Sequence, residues 1–116
     1  MPLQIVQRGA EEVVILDLTG RLWILDLPLR DLVNGLLASG KLYFVLNIAG
    51  VDYIDSSGLG QMVSIWTSVR GKSGHMTVLR PTKRVQRLFE ITHLDTIFEI
   101  LENEDDAVRK ARTASA

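Results

Sequence analysis

The chain has 116 residues, 47% of them hydrophobic, and its 14 acidic and 13 basic side chains leave a formal charge of −1. These totals fit one folded unit around one core and exclude a disordered chain. Near-neutrality gives no broad field for nucleic acid or an anionic membrane, and the absence of cysteine removes disulfides and thiolate metal sites.

Leu3 to Gln7 reads as a first strand, Arg8-Gly9-Ala10-Glu11 as a turn, and Val13 to Thr19 as a second strand ended by Gly20. The two form a hairpin, and the unbroken apolar run from Val13 predicts burial on both faces. Leu22, Trp23, Ile24 and Leu25 then make an apolar patch where a loop is expected, either tucked under the sheet edge or exposed as a contact surface. Asp26 is positioned to cap a helix with Pro28 in its first turn. Leu29, Leu32, Val33, Leu36 and Leu37 fall on one face of that helix, and Gly40 stops it.

Tyr43 to Ile48 is a central-strand candidate. A short turn follows, and then a helix ending between Arg70 and Gly74, with Leu59, Met62, Val63, Trp66 and Val69 at helical spacing. Met76 to Leu79 is the next strand. Pro81 breaks the chain, and Thr82 can cap a helix that buries Val85, Leu88 and Phe89. Ile97 to Ile100 is a short strand. Asn103, with Asp105 and Asp106, starts a last helix whose end suits Lys110 and Arg112. Alternating strands and helices favour parallel pairing with right-handed crossovers. The expectation is an α/β fold: a mixed, mostly parallel sheet of four to five strands flanked by about four helices. One domain over residues 1–116 is expected, with 113–116 frayed.

The stretch Asp55-Ser56-Ser57-Gly58-Leu59-Gly60, between a buried strand and a helix, is the leading candidate for function. A serine there can cap the helix with its hydroxyl. It also sits where unpaired N–H groups and the helix dipole favour negative charge, so a phosphate would suit the fold while changing what the surface binds. Gly58 is expected to permit backbone geometry that a side chain would hinder, and Gly60 to permit close packing.

Enzymatic readings fare poorly. The two histidines, His75 and His93, read as surface or boundary residues, and no G-x-S-x-G elbow surrounds Ser56 or Ser57. Gln61 stands where a phosphate-binding loop needs its lysine. Asp52 and Asp55 alone are a weak metal signature. No catalytic residue, cofactor or metal is expected. Arg80, Lys83, Arg84 and Arg87 form either a solvated basic face or a patch for an acidic surface or a nearby phosphate; without interleaved aromatics, nucleic acid is not expected. The start, Met1-Pro2-Leu3-Gln4, lacks a signal peptide's blocks, and no apolar run approaches the roughly 20 residues of a membrane helix. A cytoplasmic protein is expected.

The run Tyr53-Ile54-Asp55-Ser56-Ser57-Gly58-Leu59-Gly60 resembles the signature of STAS domains, named for sulfate transporters and anti-sigma factor antagonists. Leu18-Thr19-Gly20-Arg21-Leu22 resembles the family's L-x-G-x-L turn. Val85 to Thr92 resembles its V-x-x-L-F-x-x-x-G-L helix, with Thr92-His93-Leu94 in place of the glycine step. Ile97 to Ile100 resembles the closing strand.

In the bacterial anti-sigma factor antagonists, the resemblance implies a non-enzymatic switch. The serine after the aspartate, here Ser56, is phosphorylated by a kinase that is also the anti-sigma factor. The unmodified protein binds that kinase, the phosphorylated form releases it, and a serine phosphatase resets the switch. Asp55, Ser57, Gly58, Leu59 and Gly60 would shape the turn and partner face. A non-phosphorylated scaffold subunit of a stress-signalling or transporter-associated complex is the alternative. The sequence departs from the family at Arg21-Leu22-Trp23-Ile24, where many members carry an acidic residue and a small polar run.

Overall fold

A computed structural model describes residues 3–23 and 28–113. Strand β1 (Gln4–Ala10) and strand β2 (Val13–Leu22) pair antiparallel, with Ala10 opposite Val13. The connection is therefore Glu11–Glu12, and both residues have positive φ, 50° and 73°. That is the geometry of a tight hairpin turn whose twist matches its strands, and it strongly favours Asn and Gly. The turn expected at Arg8–Glu11 is displaced because Arg8 is held in the strand. Its Nε donates to Asp17 Oδ2 at 2.6 Å, and its terminal nitrogen donates to Glu104 Oε1 at 2.7 Å. Asn47 Nδ2 donates to the same Asp17 carboxylate at 2.8 Å. The Arg8 guanidinium holds the Asp17 and Glu104 carboxyls below their ordinary values, and both carboxylates raise that of Arg8.

Gly20 does not end β2. It passes through the strand at φ 113°, and β2 remains paired with strand β3 (Tyr43–Ile54) as far as Leu22 opposite Ile54. Strand β3 likewise outruns its expected end at Ile48. The register shifts between Asp17 and Thr19, and again between Gly20 and Arg21. Such bulges break the period-two alternation by which strand length is read. Strand β4 (His75–Leu79) pairs with β3 only along Tyr43 to Asn47, so the far half of β3 extends beyond it.

Strand β5 (Glu99–Leu101) completes a sheet of order β1-β2-β3-β4-β5, parallel from β2 onward. It starts later than the expected Ile97, because the Ile97 and Phe98 N–H groups donate to Leu94 O at 3.0 and 2.9 Å, closing a short 3₁₀ turn over Leu94–Thr96.

Helices α1 (Pro28–Ala38), α2 (Ser56–Gly71) and α3 (Lys83–Ile91) share one face of the sheet, packing Leu29, Val33, Met62, Ile65, Val85 and Phe89 on Leu16, Phe44, Leu46 and Val78. Helix α4 (Glu104–Thr113) covers the other face with Ala107, Val108 and Ala111 against Val13, Ile15, Val45 and Leu79. Asn103 Oδ1 accepts from Asp106 N at 3.0 Å, as its capping role predicts. Thr82 caps α3 by accepting from Val85 N. The five strands and four α-helices among the described residues are the mixed, mostly parallel α/β architecture expected. Asp26, Ile24 and Leu25, with their expected capping and patch roles, lie outside the described residues; of the tail 113–116 expected to fray, Thr113 is the last residue of α4 and 114–116 lie outside the described residues.

Candidate functional site

In a parallel sheet the carboxyl ends of the strands collect at one edge, where ligand and partner sites concentrate. Here that edge carries Leu22, Ile54, Leu79 and Leu101, and β3 delivers Asp55 to it. Asp55 has extended backbone (φ −97°, ψ −177°), and its carboxylate accepts from Gly58 N at 2.8 Å. Its own N–H donates to Leu22 O at 3.3 Å, and its carbonyl accepts from Leu59 N at 2.9 Å.

The expected serine cap is therefore corrected. Asp55 fills the capping position, because its carboxylate already satisfies an N–H of the first turn. Ser56 becomes the first helical residue. It is exposed, and its hydroxyl has no hydrogen-bond partner among the described residues. Ser57 and Leu59 are half-buried beside it.

A side chain is hindered at Gly58, as expected, but the close packing expected of Gly60 belongs to Gly58 as well. At Gly58 a Cβ would lie 2.1 Å from Leu22 O, so this is the close-packed glycine that seats α2 on the end of β2. Gly60 is exposed, and a Cβ there would meet nothing within 4 Å. The seating also turns the helix. Its buried stripe is Gly58, Gln61, Met62, Ile65 and Val69, while Leu59, Val63 and Trp66 are half-buried on its flank.

The apolar patch after Gly20 divides. Leu22 is core, fully buried. Trp23 is half-buried and borders α2, with its carbonyl 3.5 Å from Gln61 Nε2. Arg21 lies between two rings, 5.5 Å from the Trp23 centroid and 6.0 Å from that of Tyr53. The basic cluster divides too. Arg80, at φ 53°, turns toward β5 and donates its Nε to Glu102 O at 2.8 Å. Arg84 and Arg87 instead line a cleft with Tyr53. Sequence reasoning did not single out Tyr53 or Ile91 as exposed; Tyr53 lies on the part of β3 beyond its expected end, and Ile91 is the last residue of α3.

His75 Nε2 sits 2.9 Å from Glu99 Oε1 at the start of β4, the opposite end of the sheet from Asp55. Among the described residues no group of three or more His, Asp or Glu side chains could hold a metal ion, and no helix is long and apolar enough to cross a membrane.

Residues 3–107 match the family model described as the STAS domain. A Thermotoga maritima protein provisionally named an anti-sigma factor antagonist is 32% identical over 90 residues, 78% of this chain and 73% of that one. The anti-sigma F factor antagonist of Paenibacillus polymyxa is 27% identical over 117 residues, 99% of this chain and all (100%) of the other. A crystal structure from Thermotoga maritima with the same provisional name has a TM-score of 0.86 at 28% identity, covering 93% of this chain and 94% of that one. With the match running from β1 into α4, and the Asp55-capped turn at its centre, the chain belongs to the STAS domain family.

Proposed function

We propose that the protein is an anti-sigma factor antagonist: a single-domain, non-enzymatic cytoplasmic module that binds a protein partner and is switched by phosphorylation of Ser56. The observation that carries this reading is the division of labour in the turn. Asp55 caps α2, which frees the exposed Ser56 hydroxyl for modification without loss of the cap. The partners are an anti-sigma factor that is a serine kinase and a serine phosphatase that acts on the modified form. The names of the relatives support an anti-sigma factor as the partner. The partner face includes the turn from Asp55 to Leu59, with Ser57, Gly58 and Gly60 setting its shape.

Phosphorylation adds about −1.5 to −2 charges at neutral pH. In the free protein, solvent and the amino end of α2 accommodate that charge. In a docked interface it loses water beside the Asp55 carboxylate, and an unpaired buried charge costs several kcal/mol. A loss of only about 2.7 kcal/mol weakens binding roughly a hundredfold.

The test is to incubate the protein with the anti-sigma factor kinases of its own cell and map the modified residue by mass spectrometry. Ser56 is the expected site, and modification elsewhere with Ser56 intact refutes the assignment. Ser56→Asp is expected to weaken kinase binding with an unchanged melting temperature. A second reading, a scaffold subunit in a stress-signalling or transporter-associated complex, is favoured by Arg21 held between Trp23 and Tyr53 beside the site. Affinity capture from the native cell separates the two: a sigma-regulating kinase supports the first, a transporter or scaffold assembly the second.

A further inference from the structure

Two clefts adjoin beyond the carboxyl end of β4 and share Tyr53 and Arg84. One, of ≈ 210 Å³, is walled by Tyr53, Ile54, Arg84, Arg87, Leu88 and Ile91. The other adds Arg21, Trp23 and Asp52. The shared groove opens because β3 runs on to Ile54 while β4 stops opposite Asn47, leaving α3 to face the tail of β3.

Three features define what fits. Tyr53 is 43% and Ile91 66% exposed, two of the four large apolar side chains most open to solvent among the described residues. Arg21, Arg84 and Arg87 line the two clefts against one carboxylate in their walls, Asp52 beside Arg21 and Arg84, and none of the three forms an ion pair among the described residues. Arg8, Arg109 and Arg112, by contrast, are each paired with a carboxylate. Finally, the apolar cleft, at ≈ 210 Å³, suits an anchoring side chain of a partner, and its ≈ 310 Å³ neighbour supplies the charged half of the groove.

We infer that this groove docks an acidic, apolar-anchored segment of a partner protein. An apolar side chain sits between Tyr53 and Ile91, and flanking carboxylates pair with Arg84 and Arg87. Arg21, held by its two aromatic neighbours, takes a further carboxylate. Guanidinium groups suit this role through forked hydrogen bonding to carboxylates. The groove adjoins Ser56 through Ile54 and Asp55, so it extends the partner face; the partner's identity as the anti-sigma factor rests on the function proposed above.

The experiment pans a phage-displayed library of random peptides on the immobilised wild-type protein and measures recovered peptides by fluorescence anisotropy. Peptides rich in Asp and Glu around a Leu, Ile or Phe are expected. Their affinity should fall about tenfold or more for Arg84→Glu with Arg87→Glu, and for Ile91→Ser, but not for Arg30→Glu at an exposed position of α1. Circular dichroism melts check that these exposed substitutions leave the fold intact. Recovery of no peptide, enrichment of neutral or basic ones, or retained binding by the double variant overturns the inference. So does binding to phosphatidylglycerol vesicles that the double variant abolishes, which would assign the groove to a lipid surface. Binding is expected to persist in Ser56→Ala, so the groove stands or falls apart from the phosphorylation result.

Discussion

Gly58 is the position where one added carbon tests how the site is built. The Cβ of Gly58→Ala would lie 2.1 Å from Leu22 O, 2.8 Å from Leu22 C and 3.0 Å from Ile54 Cγ2. The first two are main-chain atoms of a strand paired to β3, so they cannot swing aside. The first turn of α2 must instead retreat by about 1.3 Å to reach ordinary contact at 3.4 Å. That motion breaks the Asp55 N–H bond to Leu22 O, already 3.3 Å long, and loosens Met62 beneath it. Overpacking costs about 1–3 kcal/mol and a lost hydrogen bond about 1 kcal/mol. The better helix propensity of alanine returns about 1 kcal/mol, leaving a net loss of roughly 1–3 kcal/mol.

Gly60→Ala has the same chemistry in open space on an exposed helix position, and it is expected to gain about 0.5–1 kcal/mol. Urea denaturation of the two variants checks the contrast. Their midpoints should differ by on the order of 1–2 M, with unchanged slopes. Equal midpoints, or a Gly58→Ala variant more stable than wild type, refute the seating of α2 on the end of β2.

Glu11→Asn combined with Glu12→Gly places the preferred residues in a turn that needs positive φ at both positions, so a gain of about 1–2 kcal/mol is expected by calorimetry. His93 holds φ 61° just past α3, and His93→Gly is expected to raise the melting temperature by a few degrees, about 0.5–1 kcal/mol. Arg8→Met is expected to destabilise the protein by about 1 kcal/mol at neutral pH, a modest figure because the ion pairs are partly exposed. The Asp17 and Glu104 carboxyls are held below their ordinary values of 3.8 and 4.5 in the folded protein. Their contribution is therefore present above those values and lost as pH falls through the lower folded ones. Wild type and Arg8→Met should converge in urea midpoint as the solution is acidified below about pH 4; a gap that persists refutes the ion-pair account.

Helix positions were legible because their signals are local. Thr82 and Asn103 cap where their side chains predict, and α2 begins at Ser56, at the serines expected to close the preceding turn. Strand ends were not legible, because they depend on partners remote in sequence. The length of β3 is set by two register shifts against β2, and the path of β1 through Arg8 by Asp17 and Glu104. The candidate turn was located correctly, yet its internal roles were misread for the same reason. Whether Gly58 or Gly60 needs its missing side chain depends on the Leu22 carbonyl, which belongs to another strand. Serine and aspartate both satisfy the capping pattern, and only the backbone geometry assigns the cap to Asp55.

That assignment bears on how a switch can act without moving the fold. Had Ser56 been the cap, a phosphate would have replaced the group that satisfies the first turn, and modification would have perturbed α2 itself. With the Asp55 carboxylate on Gly58 N, the helix start is complete before any chemistry at Ser56. A charge added there perturbs the scaffold little and a docked surface greatly. The division predicts opposite effects for two neighbouring substitutions. Asp55→Ala should lower stability by about 1 kcal/mol through loss of the cap, whereas Ser56→Ala should leave the melting temperature unchanged and abolish phosphorylation. If Ser56→Ala destabilised the fold as much as Asp55→Ala, the hydroxyl would be structural and the separation of cap from switch would fail.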